Sequence, residues 1–428
     1  MQRTAARDQE RLSREPTGEG PSGARVLILH ASVGSGHEHA ARALAAAFAQ
    51  LPNCEARVED ALAFAAPVFR RAYRRSYLDT VARAPILWQR YFEATDLSDP
   101  DRIASDSEMR GQLEKPLLAR LDRVVNHFGP SAIVCTHFLP AEVLVQRRPT
   151  GRAHPPLYTV VTDHVAHSFW QTPGIDGYFV ASEIPRDQLL ARGVPPAAVR
   201  ISGIPVGIEI ATAKDPRELR AHRGWPVDRP LISLFGGGLS RAHVRRVAED
   251  LRALGQPLTL VIVSGRNAEL PAALADLDDG PQVRVLVLDA IDYVDDLVAA
   301  SDLVVTKSGG LIVSEIIARG TPMLVIAPIP GQEEWNADYV VSAGAGIQLR
   351  RPELVAEAVR RLLAEPSRLA AMRARARQVG RPRAALDIAE CVLRDLESRF
   401  GASGRSPAGH SEVQLARLAE SRFEGALP

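Results

Sequence analysis

Cysteine is scarce in this 428-residue chain, and the three present, Cys54, Cys135 and Cys391, lie far apart and form no CxxC pair. That removes the basis for a disulfide framework or a thiolate metal site and fits a reducing, cytoplasmic compartment. Net charge is nearly absent as well. A formal +1 gives no global pull toward nucleic acid or an anionic surface, so any such attraction has to come from a local patch. Lysine is confined to Lys115, Lys214 and Lys307, which leaves arginine to carry almost all the positive charge. No apolar run approaches the roughly 18 residues of a membrane-spanning helix. The first 22 residues also lack the apolar centre of a secretory signal.

What is there suffices for two domains with cores of their own: 46% of the residues are hydrophobic and 24% charged. From Arg25 short β-branched runs alternate with helical ones. Residues 26–29, 132–136, 157–162, 177–182 and 199–202 read as buried strands of one parallel sheet, and 231–235, 258–264, 283–288, 302–306 and 322–327 as a second. Between the two series Pro205, Gly207, Pro216, Pro226 and Pro230 accumulate, as at a linker. The expected organisation is a floppy tail over 1–22, a domain over 23–206, a linker over 207–229, a second domain over 230–379, a terminal helix over 380–400 and a poorly ordered tail over 401–428. Both domains are α/β and doubly wound in the Rossmann manner. Such sheets bind ligands outside the carboxyl ends of their strands, so two in series imply a cleft between them.

Four stretches carry candidate chemistry. In LILHASVGSGHEHAARAL a strand runs through Gly34 and Gly36 into a helix that begins at His37. Glycines there let the backbone approach a ligand, and the helix start offers free amides. No Lys-Ser/Thr pair follows, so this is not a Walker A loop, and His39 stands where a dinucleotide fingerprint needs its third glycine. In VVTDHVAHSFW, Asp163, His164, His167 and Trp170 gather at a strand end, a composition suited to acid–base work or substrate hydrogen bonding. A metal site is not expected, because no third histidine or cysteine lies at ligand spacing. FGGGLS repeats the strand, glycine turn and helix in the second half, with Gly237, Gly238 and Ser240 as a second anion-binding turn.

The fourth stretch is the most specific. Between Val304 and Gly346, Ser308, Gly309, Gly310 and Leu311 open a helix whose amides suit a phosphate. Glu315 lies one to two turns further on with a carboxylate able to accept two ribose hydroxyls, and Gln332, Glu333 and Asn336 offer amides and a carboxylate for sugar hydroxyls. No acidic DxD-type pair is present here, and Asp295 and Asp296 read as a solvated helix face, so neither a metal nor another cofactor is expected.

Ser-Gly-Gly-x-x-x-x-Glu followed by Pro-Gly-Gln-Glu-x-x-Asn resembles the donor half of the GT-B glycosyltransferases that include the peptidoglycan N-acetylglucosaminyltransferase, the plant galactolipid synthases and the bacterial processive diacylglycerol glucosyltransferases. VGSGHEHAARAL and TDHVAHSFW resemble the acceptor half of the lipid-modifying branch, with departures at Ser35 and His164. The resemblance implies a GT-B fold and inversion at the anomeric carbon. It assigns the ribose to Glu315, the phosphates to Ser308–Leu311, the hexose to Gln332 and Glu333, and uracil to the Ile291 backbone. It also implies a terminal helix that crosses back to the first domain. His37 or Asp163 would be the base for the acceptor hydroxyl.

Aromatics are only 5% of the chain, yet Phe64, Phe69, Tyr73, Tyr77, Trp88, Tyr91 and Phe92 crowd one segment, interleaved with Arg70, Arg71, Arg74, Arg75, Arg83 and Arg90. Such a segment suits a helix lying on an anionic bilayer. The expected enzyme therefore moves glucose or galactose from a UDP-sugar to a membrane lipid, most simply diacylglycerol. It would work as a peripheral protein on the inner face of the cell membrane, with no nucleic-acid partner. A UDP-sugar 2-epimerase, transfer to a polyprenyl-linked lipid, and a non-catalytic UDP-sugar sensor are the rival readings. Oligomeric state is not legible.

Overall fold

The structure, a computed structural model, describes residues 23–73, 80, 84–148 and 154–402. The expected tails, apart from residues 401 and 402, which continue the terminal helix, and Arg74, Arg75, Tyr77 and Arg83 lie outside the described residues. The first sheet comprises β1 (Ala24–His30), β2 (Cys54–Asp60), β3 (Ala132–Cys135), β4 (Leu157–Val160), β5 (Gly177–Val180) and β6 (Val199–Ile201) in the order β2-β1-β3-β4-β5-β6. The second comprises β7 (Leu231–Phe235), β8 (Leu258–Val263), β9 (Val283–Leu288), β10 (Leu303–Thr306), β11 (Met323–Ile326) and β12 (Gly346–Leu349) in the order β12-β11-β10-β7-β8-β9. Every described pairing is parallel. This is the two-domain GT-B arrangement.

Unbroken apolar strands follow from burial on both faces. In β1, Val26 and Ile28 enter one core and Leu27 and Leu29 the other. The strands that sequence reasoning missed, β2 and β12, are edge strands. In β2 the exposed Glu55 and Arg57 alternate with half-buried residues, and β12 is half-buried throughout, so neither shows an apolar run.

The long Ala384–Ala402 helix packs on the first sheet although it follows the second in sequence. Ala385, Ile388, Ala389, Val392 and Leu396, spaced at three and four residues, fill the core around Val26 and Tyr158, and Asp395 meets Tyr158 Oη at 3.1 Å and Arg200 at 3.0 Å. Asp295 and Asp296 correct the reading of a solvated face. Both are largely buried, pairing with Lys214, and Asp296 also holds Arg223 at 2.8 Å while Asp295 pairs with Arg319. The Arg319 guanidinium reaches the Thr212 and Glu209 carbonyls, so the acidic pair ties the interdomain stretch to the second domain.

Candidate active site

Three loops at the carboxyl edge of the first sheet build one side of the cleft. After β1 the chain passes Gly34, at a φ of +121° that disfavours any side chain, and enters the Gly36–Phe48 helix with His37 in its first turn. Thr136 follows β3 and Thr162 follows β4, and both lock the His37 ring. Its Nδ1 lies 2.8 Å from the Thr136 carbonyl and 2.9 Å from Thr162 Oγ1, while Thr136 Oγ1 donates to the His37 carbonyl at 2.8 Å. A carbonyl only accepts, so Nδ1 carries the proton and the Nε2 lone pair is free to take one. Burial lowers the His37 pKa to about 4, which keeps the ring neutral.

Asp163 is placed differently. Both its oxygens accept from Gln332 Nε2, at 2.8 and 2.9 Å, and Asn336 Nδ2 lies 3.4 Å from Oδ1. The neighbouring His164 N–H donates to Asn336 Oδ1 at 2.9 Å, its ring stacks on Tyr339 at 4.2 Å, and its Nε2 meets Ser314 Oγ at 3.1 Å. The loop over residues 162–164 is thus seated against the Gly310–Ala318 and Gln332–Ser342 helices of the second domain. A Cβ on Gly310 would stand 2.2 Å from the Thr162 carbonyl oxygen, so the close approach requires glycine there. Gly36 faces the same helix, its missing Cβ 3.8 Å from Leu311 Cβ. Burial raises the Asp163 pKa to about 6 against the opposing pull of the Gln332, Asn336 and Trp170 hydrogen bonds.

On the second domain several side chains are already engaged. Ser308 Oγ donates to the Glu333 carbonyl at 2.6 Å, and Ser240 Oγ caps the Arg241–Arg252 helix by accepting from His243 N–H at 3.2 Å, so in this state both contribute chiefly backbone to the turns. Glu333, expected at the hexose, is largely buried. One oxygen pairs with Lys307 and the other accepts from Ile329 N–H at 3.0 Å. Lys307 is the residue that sequence reasoning passed over. Its stem fills the space a Cβ on Gly238 would need, 2.2 Å from Lys307 Cε, which puts an ammonium beside the FGGGLS turn and directly before Ser308. The signal was available: a lone lysine in an arginine-rich chain, at a strand end, just ahead of Ser-Gly-Gly. Gly237 packs against Gly265 in the adjoining turn. Glu315 is half-buried and has no side-chain partner among the described residues. Burial, and then Asp295 and Glu209, raise its pKa to about 8. Ile291 sits in a groove formed by residues 288–293 just past β9.

A cavity of about 670 Å³ has His37, His137, Asp163 and Gln332 in its wall together with Trp88, Tyr91, Phe92, Phe138, Phe169 and Trp170. His167 and Trp170 line it but are buried. His167 accepts from Phe169 N–H through Nδ1 at 3.1 Å and donates through Nε2 to the Phe92 carbonyl at 2.8 Å, so it joins the Pro85–Thr95 helix to the 162–170 loop and has no nitrogen left for chemistry. Part of the aromatic segment also turns inward. Phe92 is buried against Trp335 and His167, and Trp88 is half-buried. The segment's exposed side chains include Val68, Ile86, Leu87 and Tyr91 together with Arg70, Arg71 and Arg90. Among the described residues no group of three histidines, cysteines or acids could hold a metal ion, and no helix is long and apolar enough to cross a membrane.

Residues 37–206 match the family described as monogalactosyldiacylglycerol (MGDG) synthase, and residues 231–388 the glycosyltransferase family 28 C-terminal domain. The processive diacylglycerol beta-glucosyltransferase of Bacillus subtilis (strain 168) is 27% identical over 374 residues, covering 87% of this chain and 96% of that protein. The protein of the same name from Staphylococcus saprophyticus is 26% identical over 352 residues, covering 81% and 87%. Among solved structures, MurG of Acinetobacter baumannii superposes with a TM-score of 0.55 at 17% identity, covering 87% of this chain and 99% of that one. The UDP-GlcNAc 2-epimerase of Neisseria meningitidis, bound to UDP-GlcNAc, superposes with a TM-score of 0.54 at 15% identity, covering 86% and all of that chain.

Proposed function

We propose, for a chain that is a two-domain UDP-sugar-dependent glycosyltransferase of the GT-B group, that it transfers glucose from UDP-glucose to diacylglycerol with inversion. The observation that carries this reading is the join of two sites at one point. A largely aromatic cavity, suited to acyl chains, opens on a histidine with a free lone pair and on Gln332 of the sugar-binding loop. Glucose is favoured over galactose because the relatives matched across both domains are named glucosyltransferases, whereas the galactolipid-synthase family covers only residues 37–206, the lipid side.

In the reaction His37 Nε2 takes the proton of the acceptor hydroxyl as its oxygen attacks the anomeric carbon. The bond from that carbon to the β-phosphate oxygen breaks, and its electron pair leaves with UDP. Amides at the starts of the Gly310–Ala318 helix and of the 235–240 turn, with the Lys307 ammonium, stabilise the departing diphosphate. Glu315 receives the ribose hydroxyls and the Ile291 backbone the base. Asp163 and Gln332 hold each other across the cleft and together read the hexose.

Radiolabelled UDP-glucose and UDP-galactose, each offered with diacylglycerol in mixed micelles, test the reading. A glucolipid as the main lipid product is expected. Conversion of the UDP-sugar to an epimer without lipid labelling would replace it with the isomerase, and UDP binding without turnover would replace it with a sensor.

Glu315 gives a sharper test of the donor site. Glu315→Ala is expected to weaken UDP binding by about tenfold, through loss of two hydrogen bonds to the ribose hydroxyls worth roughly 0.5–1.5 kcal/mol each, the carboxyl being largely neutral at pH 7 before UDP binds. Thermal stability should hold or rise, since the carboxyl has no partner among the described residues. Unchanged UDP affinity by calorimetry would remove Glu315 from the site.

The exposed Val68, Ile86, Leu87 and Tyr91, with Arg70, Arg71 and Arg90 exposed on the same segment of chain, form the proposed seat on an anionic bilayer surface, where apolar side chains enter the headgroup layer and guanidinium groups meet the phosphates. Leu87 and Tyr91 also line the cavity, which supports a lipid entrance on that side. Ile86→Ser with Leu87→Ser should abolish co-sedimentation with phosphatidylglycerol-containing vesicles while UDP affinity stays unchanged. Retained sedimentation would place the membrane contact elsewhere.

A further inference from the structure

His37 has a neighbour in the cavity wall that neither the base nor the donor site uses. His137 follows β3 and caps the Phe138–Val145 helix, its Nδ1 accepting from Leu139 N–H at 3.1 Å. Its ring is 4% exposed and meets the His37 ring edge-on with centroids 4.7 Å apart, and Phe138 lies against it at 4.2 Å. An accepting Nδ1 fixes the tautomer. In a ring that burial keeps neutral, with a pKa well below the ordinary value, the proton is on Nε2. Nε2 has no partner among the described residues, and His137 lines the cavity. The two imidazoles therefore present opposite faces to the same space: His37 a lone pair, His137 an N–H.

An N–H in an aromatic pocket is costly until something accepts from it. A 1,2-diacylglycerol brings a suitable acceptor. The ester at its second carbon is one carbon away from the free hydroxyl, so a carbonyl oxygen travels with the nucleophile at about the spacing of two adjoining rings. We infer that His137 is a specificity-determining residue of the acceptor site, its Nε2–H receiving an ester carbonyl of the acyl-glycerol whose hydroxyl His37 deprotonates. The inference rests on the lipid-acceptor reading above. It adds that the enzyme reads the ester linkage and not only the length of the chains.

The test compares 1,2-diacyl-sn-glycerol with the 1,2-dialkyl ether of equal chain length, which keeps the hydroxyl and the chains but lacks both carbonyls. The wild type is expected to favour the ester by about tenfold or more in kcat/KM, the scale of one buried hydrogen bond left unmade. His137→Asn keeps a side-chain oxygen to cap Leu139 N–H but is too short to place an N–H in the cavity. Its ester-to-ether ratio should fall to near one, with UDP affinity by calorimetry as the check on folding. A wild type that uses both lipids equally, or a variant that keeps the full preference, overturns the inference and leaves the transferase reading standing. A wild type inactive on both lipids overturns the two together.

Discussion

His37→Ala is expected to lower turnover by about 10²–10⁴-fold, the usual range for loss of a general base, with UDP affinity nearly intact. The reason lies in how the ring is held. With Nδ1–H committed to the Thr136 carbonyl and Thr162, every wild-type ring presents its lone pair to the cavity, so no tautomer population is lost. The pH profile separates the proposed base from Asp163. His37 must be deprotonated to act, and its lowered pKa of about 4 keeps it so throughout the working range; base capacity is lost only as pH falls through that value. Asp163, raised to about 6, becomes protonated as pH falls through 6 and then has one acceptor fewer for Gln332 and Asn336. The wild type should therefore lose activity below about pH 6. Asp163→Asn, slower throughout, should lose that limb and stay flat down to about pH 5. If Asp163→Asn abolishes turnover while His37→Ala leaves it intact, the base is Asp163.

Lys307→Met should lower kcat by about 10²–10³-fold, on the scale of deleting one preorganised donor to a developing anion. It should also narrow the preference for UDP over UMP, since the ammonium is proposed to act on the β-phosphate together with the turn amides, while the nucleoside is held elsewhere. The variant leaves Glu333 buried without its cation, a cost of about 3–5 kcal/mol for a fully buried pair and less for this one, whose lysine is partly exposed, so Glu333→Gln is combined with it to restore folding. Lys307→Arg should recover part of the rate. A variant whose preference for UDP over UMP equals that of the wild type would assign Lys307 to structure alone. A protein-borne cation at the leaving group also predicts turnover that survives excess EDTA; activity lost to EDTA and restored by Mg²⁺ would show that Lys307 does not suffice.

The alternation of β-branched runs with helices, and the order of Ser308, Gly309, Gly310, Glu315 and Gln332, were legible because they are local. Strand and helix periodicity, glycine turns and a donor motif within one stretch of chain need no distant partner to be read. The edge strands β2 and β12 were not legible, because CEARVED and GIQL contain no apolar run, whereas the edge strand β9, VRVLVL, does and was legible.

Only the tertiary structure decided which groups are free to act. The tautomer of His37 depends on a carbonyl 99 residues away, and both oxygens of Asp163 accept from an amide 169 residues away. Glu333 is claimed by Lys307, and Asp295 and Asp296 by cations of the interdomain stretch. Composition and spacing determine which side chains a site can draw on. Protonation state, hydrogen-bond occupancy and ion pairing depend on burial and on neighbours that folding alone supplies, because the energy of a charge or a lone pair is set by what lies within a few ångströms of it.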